Sequence, residues 1–226
     1  MRSKWMLAAL PLMLTIGCGG GSPPPPAEEP APSEPAAPAV PAVPAVEEPS
    51  SETTPAPTGT NPMVEMRTSL GTMKIELYPD KAPKTVENFL GYAREGFYDG
   101  TVFHRVIDSF MIQGGGFTPD MSEKETRAPI ENEAGNRLKN VRGSLAMART
   151  NDPHSASSQF FINTVDNHML DFQSETIQGY GYAVFGQVVE GFETLDAIKK
   201  VSTGSRGGHD DVPMSPVVIE IVRVMN

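Results

Sequence analysis

Three short segments contain most of the side chains that could do chemistry. Residues 103–105 read Phe-His-Arg, residues 110–115 read Phe-Met-Ile-Gln-Gly-Gly, and residues 158–162 read Ser-Gln-Phe-Phe-Ile. Arg105 offers a permanently charged, rigid fork of donors, and most of its neighbours in these segments are apolar or aromatic. A fixed cation stabilises electron density on a bound group most strongly where water is excluded. The segments therefore predict electrostatic chemistry that needs no nucleophile, general base or metal.

The other polar side chains do not form a catalytic or metal-binding pattern. The sequence has no HxxxH or HExxH spacing for a metal and no G-x-S-x-G elbow around its serines. Gly114, Gly115 and Gly116 lack the lysine and helix start of a phosphate loop, and we expect them to permit a tight turn. We interpret the remaining acidic and histidine side chains as polar groups of loops: Asp152, His154, Asp166, His168, His209, Asp210 and Asp211.

A strand must position the arginine. If residues 101–106 are extended, Phe103 and Arg105 point to one face and His104 points to the other. We therefore expect Arg105 to share a face with an aromatic ring and His104 to be structural. Without its neighbouring motifs, Arg105 would be interpreted as a member of an ordinary surface salt bridge.

Periodicity predicts a mainly β domain with two helices. Residues 64–68 and 73–78 alternate apolar and polar side chains, as expected for a hairpin. Helical spacing follows Pro83 and ends near Gly96, and a second helix is predicted over 192–200 with Leu195 and Ile198 inward. Many short strands with Gly-rich turns favour an antiparallel sandwich or a closed barrel. The other predicted strands are 101–106, 111–113, 144–147, 159–163, 183–188 and 217–224.

Composition divides the chain near residue 62. Residues 19–62 hold 14 of the 22 prolines and six glutamates, without Lys, Arg or an aromatic residue. Such a segment buries too little apolar surface to offset its ordering entropy, so 18–62 is predicted to be a disordered tether. Residues 63–226 are long enough for one globular domain. Their acidic balance, without a basic stripe, argues against nucleic acid as a partner.

The first residues predict export. Arg2 and Lys4 precede an apolar stretch that is too short to span a bilayer but suits the core of a signal peptide. Residues 15–18 read Thr-Ile-Gly-Cys and resemble a bacterial lipobox, with Thr15 as the departure. We therefore interpret 1–17 as a lipoprotein signal peptide and Cys18 as the lipidated residue. Gly19 suggests a protein anchored in the outer membrane and facing the periplasm, and the alternative is a plain secreted protein.

The three opening segments together resemble the cyclophilin signature, and residues 145–150 and 182–186 fit it too. The resemblance covers essentially all of 63–226 and is similar in particular to bacterial exported cyclophilins. It implies a closed eight-stranded antiparallel barrel capped by two helices, and peptidyl-prolyl cis-trans isomerase activity without a cofactor. It also implies a catalytic role for Arg105, Gln113 and Phe110. The substrate-binding residues that it implies are Met111, Ala148, Arg149, Phe161, Met169, Leu170 and Tyr182.

The resemblance also suggests partners. Proline-containing unfolded or extended polypeptides would be the substrates, and the N-terminal lipid would attach the protein to a membrane. Met169 stands where many members have tryptophan, so the indole donor is missing and weak cyclosporin binding is expected. We expect a monomer.

Three alternatives stay open. The domain could be a proline-peptide-binding chaperone module without catalysis, or an envelope scaffold with a vestigial pocket. The prolines of the tether could also occupy the groove of the same or a neighbouring molecule.

Overall fold

The computed structural model describes residues 61–225. The signal peptide, the lipid on Cys18 and nearly all of the tether were predicted for residues that lie outside this part of the chain. Within residues 61–225, neither helix is long and apolar enough to cross a membrane.

Besides two three-residue 3-10 helices, the described domain has ten strands and two α-helices. In chain order they are β1 Met63–Thr68, β2 Gly71–Leu77, α1 Pro83–Arg94, β3 Thr101–Ile107, β4 Met111–Gly114, β5 Ser144–Met147, β6 Phe160–Asn163, β7 Val184–Glu190, α2 Phe192–Lys199, β8 Thr203–Arg206, β9 His209–Pro213 and β10 Val217–Met225. Eight strands close a barrel in the order β1-β10-β3-β4-β6-β5-β7-β2. Every neighbouring pair in the barrel is antiparallel. The predicted mainly β, eight-stranded antiparallel barrel with two helices is therefore confirmed.

The alternating pattern of the first hairpin matches its burial. Val64 and Met66 of β1 and Met73, Ile75 and Leu77 of β2 are completely buried in the barrel core. The polar residues between them point outward, because successive side chains of a strand face opposite sides of the sheet.

The two helices bury the residues that helical spacing indicated. Helix α1 has proline at its first position, where the missing N–H costs no intrahelical hydrogen bond. Gly96, just beyond its C-terminus, has a φ of +67°, which favours glycine. In α2, Leu195 and Ile198 are completely buried, as predicted.

One aromatic ring lies at the centre of the core. Phe160 of β6 makes edge-on contacts with Phe89, Tyr98 and Phe103, at ring centroid distances of 5.6, 5.4 and 6.2 Å. The next residue, Phe161, belongs to a separate apolar cluster. The two neighbouring rings thus point to opposite faces and divide β6 between the core and the outer face.

A two-stranded sheet of β8 and β9 was not predicted. All four residues of β8 are exposed, so their side chains give no alternating hydrophobic pattern. The interpretation of His209, Asp210 and Asp211 as loop residues was wrong, since they form the first part of β9. This hairpin lies against β3, the strand that bears Arg105.

Candidate active site

A β-bulge in β3 decides where Arg105 points. Phe103 pairs with Gly114 and Arg105 pairs with Gln113, so His104 is an extra residue on the β3 side. Phe103 is completely buried in the core, whereas the Arg105 side chain is 44% exposed on the outer face. The prediction that Phe103 and Arg105 share a face was therefore wrong. The bulge breaks the two-residue period on which that prediction depended.

The strand register places three of the predicted site residues in one row on the outer face of the barrel. Arg105 pairs with Gln113, Gln113 pairs with Phe161, and Phe161 pairs with Ala146. Directly opposed residues on neighbouring strands lie on one face with Cβ atoms about 4.5–5.5 Å apart. A cation, an amide and an aromatic ring from three strands are thus consecutive neighbours.

An apolar cluster surrounds the Phe161 end of this row. Its buried members are Met111, Ala146, Phe161 and Val184. Partly buried side chains pack around them: Ile107, Phe110, Leu138, Ala148, Leu170 and Tyr182. We call these ten residues the outer apolar cluster. It contains most of the predicted substrate-binding residues, whereas Met169 is not part of it and is 71% exposed. Arg149 is connected to it through Tyr182.

A polar groove of about 620 Å³ begins at Arg105 and Gln113. The bulge residue His104 and the β9 residues His209, Asp210 and Asp211 also line this groove. Its other lining residues are Phe117, Glu123, Gln159 and Gly208. No member of the outer apolar cluster lines it. Arg105 and Gln113 therefore mark the border between an apolar surface and a polar, acidic one.

The two polar side chains at this border differ in how firmly they are held. The Nε2 atom of Gln113 donates a hydrogen bond to Oε1 of Gln159 at 2.9 Å. The Nε atom of Arg105 lies 3.9 Å from Oδ2 of Asp211, and both side chains are more than 40% exposed. Such an exposed ion pair contributes about 0–1 kcal/mol, so the guanidinium stays available to a ligand. Among the described residues nothing donates to the amide oxygen of Gln113, so this oxygen can accept from a ligand.

His104 is structural in its packing, as interpreted from the sequence. It is 4% exposed, and its ring centroid lies 4.6 Å from that of Phe117. Its Nδ1 atom is buried without a hydrogen-bond partner among the described residues. Burial, with smaller contributions from the nearby His209 and Arg105, lowers the pKa of His104 to about 4.

Stability should consequently fall in mild acid. The unfolded chain binds a proton at His104 near its ordinary pKa of about 6.5, whereas the folded chain resists protonation down to about pH 4. Between these values the unfolded state holds more protons, so the free energy of unfolding should drop by up to roughly 3 kcal/mol. Urea unfolding at pH 7.0, 5.5 and 4.5 measures this drop.

Two variants test the assignment of this pH dependence. His104→Gln should flatten it between pH 6.5 and pH 4.5, because glutamine does not titrate. His154→Gln, at an exposed histidine, should retain it. An equal slope in His104→Gln and the unmodified protein would contradict the assignment.

Sequence reasoning missed a polar network that holds two walls of the site. The Nδ2 atom of Asn167 donates to the carbonyl oxygen of Phe110 at 2.7 Å, and that of Asn140 donates to the carbonyl oxygen of Leu170 at 3.1 Å. Asn163 connects the two, since it donates to Asn140 at 3.2 Å and accepts from Asn167 at 2.6 Å. All three asparagines are buried. The sequence held one signal for this network. Asn163 directly follows the apolar residues of β6, and a buried amide needs hydrogen-bond partners.

Asp171 anchors this network to the chain beside Leu170. Its Oδ1 atom accepts from the backbone N–H of Asn140 at 2.8 Å. Burial opposes ionisation of Asp171, but hydrogen bonds from Asn140, His168 and Lys139 together hold its pKa below the ordinary value. A charged carboxylate thus fixes the segment that supplies Leu170 to the outer apolar cluster.

Comparison with solved structures defines the class of the protein. A Cryptosporidium parvum cyclophilin type peptidyl-prolyl cis-trans isomerase, crystallised in the presence of the dipeptide Ala-Pro, is 29% identical. The match has a TM-score of 0.62 and covers 73% of this chain and 99% of that one. Fold and outer-face site therefore define a cyclophilin-like barrel.

Sequence relatives are more similar still. A family model, cyclophilin type peptidyl-prolyl cis-trans isomerase, matches residues 63–224. The isomerase cyp18 of Streptomyces antibioticus is 62% identical over 162 residues, which are 72% of this chain and 98% of cyp18. Isomerase B of Escherichia coli is 59% identical over 162 residues, which are 72% of this chain and 99% of that protein. The chain belongs to the family of cyclophilin type peptidyl-prolyl cis-trans isomerases and is an enzyme of this kind.

Proposed function

We propose that this isomerase acts on X-Pro bonds of extended or unfolded exported polypeptides, with Arg105 as the catalytic cation. The observation that supports this assignment is the outer-face row in which Arg105, Gln113 and Phe161 are consecutive cross-strand neighbours. It joins a fixed positive charge to an apolar surface that suits a proline ring.

The chemistry follows from the resonance of the amide. An X-Pro bond rotates over a barrier of about 18–20 kcal/mol, because its C–N bond has partial double-bond character. A guanidinium donor aimed at the prolyl nitrogen draws the lone pair onto nitrogen and makes it pyramidal, which weakens the double-bond character. Arg105 suits this role because it stays charged and its donors form a rigid fork. The proposed step involves no cofactor and no covalent intermediate.

The surrounding residues hold the substrate. Phe110, Met111, Phe161 and Leu170 of the outer apolar cluster would enclose the proline ring and exclude water beside the arginine. Gln113 donates to Gln159 through its Nε2 atom, and its amide oxygen would accept from a substrate N–H or from Arg105. The main chain at Ala148 and Arg149 would bind the extended peptide. The Ala-Pro dipeptide named with the Cryptosporidium parvum neighbour supports a proline-containing ligand.

A refolding reaction limited by X-Pro isomerisation tests the function. Such reactions take tens of seconds at 25 °C, so acceleration is easily measured. At about one enzyme per twenty substrate molecules, the purified protein should speed the slow phase, and Arg105→Ala should not. A binding module without catalysis would change the refolding rate only at stoichiometric amounts. Acceleration only at equimolar protein would therefore reject catalysis and favour the chaperone alternative.

The cellular setting is part of the same proposal. The charged start, the short apolar stretch and the lipobox-like residues 15–18 favour export and attachment of a lipid to Cys18. The enzyme would then be a monomer on a tether at the outer membrane, facing the periplasm, and would bind cyclosporin weakly. Palmitate labelling in a bacterial host, compared with Cys18→Ser, tests the attachment, and equal labelling of both proteins would reject it.

A further inference from the structure

Arg149 makes contacts that a main-chain role in substrate binding does not explain. Its Nε atom donates to the carbonyl oxygen of Gly181 at 3.0 Å, and its Nη1 atom donates to the carbonyl oxygen of Thr150 at 2.8 Å. Its guanidinium lies over the ring of Tyr182, 4.6 Å from the ring centroid. One side chain thus holds the backbone before Tyr182 and one face of the tyrosine ring.

Tyr182 is a wall of the outer apolar cluster. Its ring meets Phe161 edge-on, with centroids 5.5 Å apart and planes at 80°. Its backbone N–H donates to the carbonyl oxygen of Leu170 at 3.0 Å. The position of the Tyr182 ring therefore sets the distance between the Phe161 side and the Leu170 side of the apolar surface that would receive proline.

The backbone on both sides of the contact is constrained. Gly181 has a φ of +67°, and a Cβ atom there would lie 2.7 Å from the backbone of Leu170 and Asp171. The backbone N–H of Ala148 donates to the carbonyl oxygen of Gln159 at 2.9 Å, which fixes the chain between the end of β5 and Arg149. Tyr182 and Arg149 are thus each attached to constrained backbone, and the Arg149 side chain joins the two segments directly.

We propose that Arg149 is a positioning residue whose side chain holds Tyr182 against Phe161 and thereby sets the width of the outer apolar cluster that would receive proline. This inference rests on the proposed function of the outer apolar cluster. It assigns the guanidinium to the enzyme's own tyrosine and not to the substrate. Specificity for the ring of proline then depends on a cation that does not touch it.

The kinetic signature follows from this role. A wall that contacts the proline ring equally in the ground state and in the twisted state contributes uniform binding, which changes KM and leaves kcat nearly unchanged. We expect Arg149→Ala to raise KM about fivefold with kcat within about twofold, on an uncharged proline peptide followed by exchange NMR. Arg149→Lys should restore little, because an ammonium lacks the planar fork that donates to two carbonyl oxygens while its face lies on a ring. Arg94→Ala, at an exposed arginine of α1, is the matched control and should leave both constants unchanged.

A double-mutant cycle separates positioning from direct contact. If Arg149 acts through Tyr182, Arg149→Ala should change KM less than about 1.5-fold in a Tyr182→Leu background. Full additivity of the two substitutions would overturn the proposal and indicate that Arg149 contacts the peptide itself. Recovery of the original KM by Arg149→Lys would also overturn it, since charge alone would then suffice.

Thermal unfolding of each variant identifies a purely structural role. A lowered Tm with unchanged KM and kcat would contradict positioning. These outcomes differ from failure of the proposed function, in which the unmodified protein would show no exchange of the peptide at all.

Discussion

Replacement of Arg105 by alanine is expected to lower kcat/KM for X-Pro isomerisation about a hundredfold, the usual effect of removing one hydrogen-bond donor that stabilises a transition state. The loss should appear mainly in kcat, because the guanidinium interacts most strongly with the twisted amide. Exchange NMR on an Ala-Pro peptide measures both constants. Arg105→Lys should recover little of the rate, since a lysine ammonium lacks the rigid fork.

The fold should survive this change. The Arg105 side chain is 44% exposed, and its ion pair with Asp211 spans 3.9 Å. We therefore expect the free energy of unfolding to change by less than about 1 kcal/mol. Arg94→Ala again provides the control for loss of one positive charge. A folded Arg105→Ala protein with undiminished kcat would exclude the catalytic role and leave Arg105 as an ordinary surface residue.

The neighbouring rings of β6 should give opposite results when each is replaced by alanine. Phe160 is completely buried among core aromatic rings, so Phe160→Ala should lower the free energy of unfolding by about 3–5 kcal/mol. The molecules that remain folded should keep kcat/KM within about threefold, because the outer face is untouched. Urea unfolding together with activity per folded molecule measures both quantities.

Phe161→Ala removes the ring at the centre of the outer apolar cluster. We expect kcat/KM to fall about tenfold through a higher KM, because the proline ring loses a large apolar neighbour. The loss of stability should be smaller than for Phe160→Ala, since this cluster has fewer buried members than the core. Phe160→Leu and Phe161→Leu are the conservative controls. If Phe160→Ala lowered activity more than Phe161→Ala, the division of β6 between core and site would be wrong.

Local pattern predicted most of the architecture. The first hairpin, both helices and the strand that separates Phe160 from Phe161 follow from periods of two and 3.6 residues, because apolar side chains must face one core. The resemblance of the three motifs to one family then implied closure of the sheet and the residues of the site. Closure itself does not follow from periodicity, since a sandwich and a barrel share the same alternation.

The sequence could not reveal the bulge at His104 or the hairpin of β8 and β9. A bulge arises from the register between β3 and β4, which depends on partners distant in the chain. The hairpin has no buried face in β8, so its residues show no hydrophobic period. These two features direct Arg105 outward and place Asp211 beside it.

The sequence by itself determined which side chains are available: one arginine and two glutamines among largely apolar motifs, without a G-x-S-x-G elbow or a metal-binding spacing. Only the tertiary structure decided their neighbours. It placed Arg105, Gln113 and Phe161 in one cross-strand row and buried an asparagine network beneath Phe110 and Leu170. It also stacked Arg149 on Tyr182. The physical reason is that side-chain chemistry belongs to each residue, whereas distance and burial arise when strands far apart in the chain pair.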